Sequence, residues 1–428
     1  MVYRKSTLLM LTGSLAAVIV VFLSLVSLPN GSSSPSTKRG ETITPLPAGQ
    51  SGDELQHIIV SVSIPQNEFH DMLEATSRFM EANPNITVEL RNISPDLLYD
   101  SLKSDAQLGT GPDLALMDNG WVKEFAVLGY LKPLDSLVAA MPGEWLSGLL
   151  EPLNWNNYWW GMPKDADPQL VVWSRPLLDQ LADGTIPPDW NSFAGLAVSA
   201  GGELTDVPLV RLDPAEACQL LVWLDSFPSK ERTESLQPFD AELKERLAFL
   251  AEGQGTTFTV SRSNGKDNVE KLAAGELLSA VMRWSELQAL PLEQRTKLAI
   301  GYPNGWFGGR SFVVFTHSRA KEEAVSLWLK MIVGEDEQQA SYDRYRLLPS
   351  LKPLYTAREQ NVVDIGMNKL ADFIWLKQLD ALTSQMLDPQ WPVRLANWKK
   401  VWNDLNHEDN WLNEIAEQWN NSFLPKEL

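Results

Sequence analysis

Between residues 57 and 128 the chain switches repeatedly between a strand-like and a helix-like hydrophobic period, and this alternation limits the fold more than any other feature. His57-Ile58-Ile59-Val60-Ser61-Val62-Ser63-Ile64 is β-branched and apolar for most of its length, as in a strand covered on both faces. Pro65-Gln66-Asn67 breaks it. Phe69, Met72, Leu73, Thr76, Phe79 and Met80 then recur at helical spacing until Asn83-Pro84-Asn85. Ile86, Val88 and Leu90 alternate with polar residues as a second strand. Ser94-Pro95-Asp96 opens a helix carrying Leu98, Leu102 and Ala106 on one stripe. Leu114 to Met117 reads as a third strand, and Trp121 to Leu128 as a helix closed by Gly129. The order β-α-β-α-β-α predicts an α/β fold with a mainly parallel sheet and helices on both faces. In such sheets ligands bind beyond the carboxyl ends of the strands, here Ser63 to Asn67, Asn92 to Ser94 and Asp118 to Trp121.

The third of these ends lies in LGTGPDLALMDNGW, residues 108–121. A turn leads into a short buried strand, and the strand stops at a carboxylate, an amide, a glycine and a tryptophan. This is expected to form one wall of a ligand cleft. Asp118 can serve as a plain helix N-cap, as a ligand contact, or as both. Gln66 and Asn67 at the first strand end carry the same two readings, capping and binding.

The composition removes several function classes. A chain of 428 residues has room for two or three domains, and 44% hydrophobic with 21% charged residues is globular usage. A net charge of -19 argues against nucleic acid as a partner, because phosphate binding needs a surplus of Lys and Arg. One cysteine, Cys218, allows no intramolecular disulfide. It sits where Asp213-Pro214 reads as the opening of a helix, and it reads as a small core residue rather than a nucleophile. His57, His70, His317 and His407 are scattered, with no metal-ligand spacing among them. The sequence holds no G-x-S-x-G, H-E-x-x-H, P-loop or dinucleotide fingerprint, so neither an enzyme nor a cofactor is expected. Paired carboxylates could serve a glycosidase, but 55 acidic residues supply such pairs by chance.

The N-terminus has its own character. Arg4 and Lys5 precede an uncharged, mostly apolar run of 21 residues, Leu8 to Leu28. That is longer than a usual signal-peptide core of about 7–15 residues and close to the roughly 20 needed for a membrane span. Residues 1–28 are read as an uncleaved signal anchor ahead of a cleaved signal peptide. Positive residues on the inner side place the body outside the membrane, anchored or secreted. Residues 29–55, rich in Ser, Pro, Gly and Thr, form a flexible linker.

At this point a family resemblance emerges. Segment 57–138 resembles the start of the extracellular solute-binding proteins of ABC importers, in the carbohydrate-binding branch typified by maltose-binding protein. The elements are the first strand, the Phe69 helix, Asn83-Pro84-Asn85-Ile86-Thr87-Val88, the Tyr99/Leu102 helix, Gly111-Pro112-Asp113, and Trp121-Val122-Lys123-Glu124-Phe125-Ala126 with Gly129-Tyr130-Leu131-Lys132-Pro133-Leu134-Asp135. Later segments extend it over roughly 57–428. Trp160-Gly161-Met162-Pro163-Lys164-Asp165-Ala166-Asp167 looks like the first crossing between lobes. Pro187-Pro188-Asp189-Trp190 is similar to a family element, Gly308-Gly309-Arg310-Ser311 resembles a return, and Leu347-Leu348-Pro349-Ser350 a last return. The resemblance implies a bilobed periplasmic-binding-protein-like fold: two discontinuous α/β lobes joined by a hinge, 56–165 plus 311–346 and 166–310 plus 347–428. Two departures stand out. No cysteine for lipidation follows the N-terminal run, and Ala280-Val281-Met282-Arg283-Trp284 lacks the glycine usual before that tryptophan.

The resemblance also implies the ligand and the partners. A sugar offers apolar C–H faces rimmed by hydroxyls, which aromatic planes and carboxylates or amides recognise. Seventeen tryptophans are roughly two to three times an ordinary share. The candidate binding residues are Gln66, Asn67, Asp118, Asn119, Trp121, Asp165, Asp167, Trp284, Glu286 and Trp306. Trp391, Trp398, Trp402 and Trp411 read as packing residues. The expectation is a monomeric binding protein that captures a carbohydrate between its lobes, delivers it to an ABC permease, and is held to the membrane by its N-terminal segment. A tethered receptor uncoupled from transport is the alternative, and a surface carbohydrate-active enzyme a further one.

Overall fold

The computed structural model describes residues 55–139, 144–203, 207–213, 216–227, 241–252, 258–260, 265–301, 309–355, 391–393 and 395. All of them belong to one unit, Asp53–Leu428. The expected anchor, most of the linker, Trp306 and His407 lie outside the described residues.

The opening alternation folds as read. Strand β1 (Gln56–Val62) leads to helix α1 (Gln66–Ala82), β2 (Ile86–Asn92), α2 (Pro95–Leu108), β3 (Leu114–Asp118) and α3 (Asn119–Val127). β1 pairs in parallel with β2 and with β3. Three more strands complete the sheet: β4 (Met162–Ala166), β10 (Gly309–Val314) and β11 (Leu348–Pro349). The order is β11-β4-β10-β3-β1-β2. β10 is antiparallel to both β3 and β4, and β11 is antiparallel to β4. The expectation of a mainly parallel sheet is corrected: the sheet is mixed, because its middle strand arrives from far along the chain and enters in the opposite sense.

Alternate residues of β3 serve opposite faces. Leu114 and Leu116 pack with Ile58, Val60, Phe79 and Trp328, whereas Ala115 and Met117 pack with Leu98, Leu102 and Phe125. Burial on both faces explains the unbroken apolar run LALM.

The second sheet contains β5 (Gln169–Ser174), β6 (Val210–Leu212), β7 (Phe258–Val260), β8 (Ser279–Arg283) and β9 (Leu298–Gly301), in the order β9-β5-β8-β6-β7. It too is covered on both faces: Val171, Trp173 and Val281 join one cluster, Leu170, Val172 and Met282 another. Helix α4 spans Ala217–Asp225, starting later than Asp213-Pro214 suggested, with Glu216 at its N-cap. Helix α5 (Trp284–Gln288) follows β8 directly. Helices α6 (Glu322–Ile332) and α7 (Glu335–Tyr345) pass between β10 and β11. Leu348 and Pro349, expected beyond the last return, pair with Ala166 and Asp165. Among the described residues, no helix is long and apolar enough to cross a membrane.

Candidate functional site

The two sheets are linked end to end, and only Asp167 and Pro168 separate β4 from β5. At that junction the first sheet presents the carboxyl ends of β1, β3 and β4 together with the start of β10, since Arg310 is registered against both Asp118 and Asp165. The second sheet presents the end of β8, where Arg283 is registered against Gln169 at the start of β5. Its β6 ends nearby at Leu212, and the chain reaches Glu216 before α4 begins. Strand polarity thus gathers charged and amide side chains from seven segments into one region.

On the first-sheet side a compact quartet forms. Arg310 donates Nε to Asp165 Oδ1 at 2.7 Å and Nη2 to Asp165 Oδ2 at 2.6 Å and to Glu68 Oε1 at 2.8 Å. Lys164 Nζ donates to Asp165 Oδ2 at 2.7 Å. Glu68, Lys164 and Asp165 are all buried. Burial pushes the Asp165 carboxyl up, but Arg310 and Lys164 outweigh it and hold the group below the usual range. Two carboxylates against two cations leave the quartet neutral.

The second-sheet side centres on Arg283. Its Nη2 donates to both Glu216 oxygens at 3.1 and 3.2 Å, and Gln169 Nε2 donates to Glu216 Oε2 at 3.3 Å. The Arg283 backbone N–H donates to Glu286 Oε2 at 3.1 Å. Asp167 accepts from the Ser285 backbone N–H at 2.9 Å and from Ser285 Oγ at 2.8 Å, and the Trp284 N–H donates to the Pro168 carbonyl at 2.8 Å. These bonds fasten the start of α5 to the crossing.

Asp118 caps α3, accepting from the Gly120 N–H at 2.7 Å. Burial raises its carboxyl to about 6, against the pull of the Gly120 N–H and the field of Arg283. Burial likewise raises Asp167 and Glu286. For Arg283 burial acts downward, but Glu216 and Asp167 overcome it and keep the guanidinium charged. Cys218 feels burial first and then Asp118 and Glu216; its thiol is pushed up to about 12, which leaves no thiolate for nucleophilic chemistry.

The structure distributes the expected site residues unevenly. Asp118, Asp165, Asp167 and Glu286 meet at the junction. Gln66 and Asn67 are exposed in the first turn of α1, next to Glu68, and Pro65 rather than either of them is the N-cap. Asn119 is buried, with Oδ1 accepting from Ser311 Oγ at 2.5 Å. A Cβ on Gly309 would come within 2.5 Å of Asn119 Nδ2, so a larger residue there would have to displace the Asn119 amide. Trp121 turns toward α2, edge-to-face on Tyr99 at 5.1 Å. Trp284 is completely buried in the second-sheet core.

Glu216, Arg283, Gln169 and Arg310 were not among the sequence candidates. The signal available for them was a charged or amide residue directly at the end of an apolar strand. Trp391 was read as packing, and it does join the cluster around Val171 and Trp223. It also lies against α3: a Cβ on Gly120 would sit 2.5 Å from Trp391 Cδ1 and 2.8 Å from Nε1. An indole edge therefore rests beside Asp118 at the junction. The assembled site can offer hydrogen-bond acceptors, one guanidinium and an aromatic flank to a polar solute.

Comparison with known proteins agrees with this architecture. A Brucella abortus (strain 2308) protein described only as a binding protein is 23% identical over 384 residues, covering 85% of this chain and 89% of its own. Among solved structures, the maltose-bound MalE3 of T. maritima superposes with a TM-score of 0.64 at 15% identity, covering 86% of this chain and 100% of its own. An ABC transporter solute-binding protein from Thermotoga lettingae TMO bound with alpha-D-tagatose gives a TM-score of 0.63 at 16% identity, over 86% of this chain and 99% of its own. These likenesses establish the bilobed α/β fold of periplasmic sugar-binding proteins. The family model described as bacterial extracellular solute-binding protein matches residues 74–361, well over half of the chain, and the chain therefore belongs to that family.

Proposed function

We propose that this protein captures a carbohydrate, an oligosaccharide, at the junction of its two sheets and hands it to an ABC permease without chemically altering it. The observation that carries this reading is the convergence of Asp118, Asp167, Glu216, Arg283 and Gln169 on one junction flanked by the Trp391 indole. Carboxylates, an amide and a guanidinium satisfy hydroxyls, and an aromatic surface covers a sugar's C–H face. The sugars bound by the structural neighbours point the same way. Lobes close to 56–165 with 311–346 and to 166–310 with 347–428 are inferred, the bounds moved so that Ala166, Gly309, Arg310, Leu348 and Pro349 stay with the strands they pair with and the last crossing falls beyond Pro349. Closure about the Asp167-Pro168 connection would shift the lobes from open to closed, and the permease would read the closed form. The segment 8–28 would tether the body outside the membrane.

The test is thermal unfolding of the full chain against mono- and oligosaccharides. A ligand that binds only the folded state, present at a hundred times its dissociation constant, adds about 2.7 kcal/mol of stability. An upward shift for a sugar class, with no sugar released in a turnover assay on the same compounds, is the expected result. No shift with any sugar would overturn the carbohydrate reading.

A further inference from the structure

Among the described residues, the charge of the junction does not balance. The quartet of Glu68, Lys164, Asp165 and Arg310 is neutral in itself. Around Arg283, however, stand four carboxylates: Asp118, Asp167, Glu216 and Glu286. Glu216 takes the guanidinium in a direct ion pair. The other three are oriented by neutral donors, the Gly120 N–H, the Ser285 N–H and hydroxyl, and the Arg283 N–H. Those bonds fix direction without cancelling charge. Arg310 reaches Asp167 only through its field, its own contacts being with Asp165 and Glu68. Burial raises the carboxyls of Asp118, Asp167 and Glu286, and the field of Arg283 offsets it only in part.

A second observation is independent of charge. Gln169 is only 7% exposed, and its Oε1 is met by no protein donor among the described residues. Its Nε2 is committed to Glu216, and turning the amide would set oxygen against carboxylate. Because Nε2 bonds Glu216, Oε1 adds a buried acceptor beside a set already rich in acceptors. A group that is all donor and positively charged fits such a set, and an ammonium, with three donors and no acceptor, has that chemistry. Among the described residues no three or more His, Cys, Asp or Glu are grouped to hold a metal ion, so the four carboxylates do not close on one point. An organic cation would supply the positive charge that the described residues of the junction lack.

We propose that the solute is an amine-bearing saccharide whose protonated nitrogen is held by Asp118, Glu216 and Gln169 Oε1 beside Arg283. This rests on the carbohydrate reading above. The net charge of -19 adds a field that draws cations toward the protein.

The experiment compares four probes by thermal unfolding and titration of the full chain at pH 7: glucosamine oligosaccharides, their N-acetylated counterparts, maltodextrins, and spermidine. The glucosamine series is expected to bind about tenfold or more tighter than its N-acetylated twin, and the preference should shrink as salt rises from about 20 to about 500 mM. Asp118→Asn keeps the acceptor for the Gly120 N–H but removes one charge, and it is expected to weaken the preference about tenfold. Equal or tighter binding of the neutral sugars would overturn the inference and leave the carbohydrate reading standing. Stabilisation by spermidine alone would keep the cation and overturn the carbohydrate reading. No shift in any arm overturns both.

Discussion

At the scale of single residues, Asp118 links folding to pH. Its carboxyl titrates near 6 in the folded protein, against an ordinary 3.8. A raised value means that the folded state holds this proton more tightly than the unfolded chain does. The stability it contributes is full below about 3.8 and is lost as pH climbs through about 6, amounting to about 3 kcal/mol at most. Unfolding midpoints between about pH 4 and 7 should therefore fall with rising pH more steeply for the native protein than for Asp118→Asn. Ser311 makes a second residue-level test. Removing its hydroxyl leaves the buried Asn119 carbonyl without that donor, so Ser311→Ala is expected to cost about 1–3 kcal/mol in denaturant unfolding. Arg310 is a third. Arg310→Ala leaves Glu68 and Asp165 buried beside Lys164 alone, and a loss of about 3–5 kcal/mol should appear in the same measurement.

Among elements, the contact between α3 and Trp391 is the most sensitive. A methyl at residue 120 would overlap the indole edge, so Gly120→Ala is expected to destabilise the protein or expel the ring. Combined with Trp391→Ala, the loss should be less than additive in a double-mutant cycle, because the second change removes the overlap. An additive result would show that the two groups do not touch in solution. The elements themselves were largely legible from sequence between 56 and 128, since each is long enough to show its period and is bounded by Pro, Asn or Gly. Sheet direction was not legible, because β10 pairs with β3 across almost two hundred residues and nothing local encodes that pairing. Asp213-Pro214 imitated a helix start that the chain delays until Ala217. Of the site, the carboxylates at strand ends could be read, whereas Trp284 could not be told from a ligand-facing ring. Its burial depends on how α5 is fastened to Pro168. Arg283 and Gln169 became visible only once β8 and β5 stood in register.

Across the whole molecule, the position of β10 sets an order of assembly during synthesis. β10 lies between β3 and β4, yet it is made only after every strand of the second sheet. As the polypeptide emerges, the β1-β2-β3 group and β4 have no common neighbour to join them. The second sheet, by contrast, has all its strands among the described residues by Gly301. Until Gly309–Val314 appears, β3 and β4 each carry an open edge, the kind of backbone that other chains can pair with. A nascent chain stalled before residue 309 would thus hold one finished sheet and one divided sheet, making the interval between β9 and β10 the time of greatest exposure to misassembly and the natural moment for a chaperone to hold on.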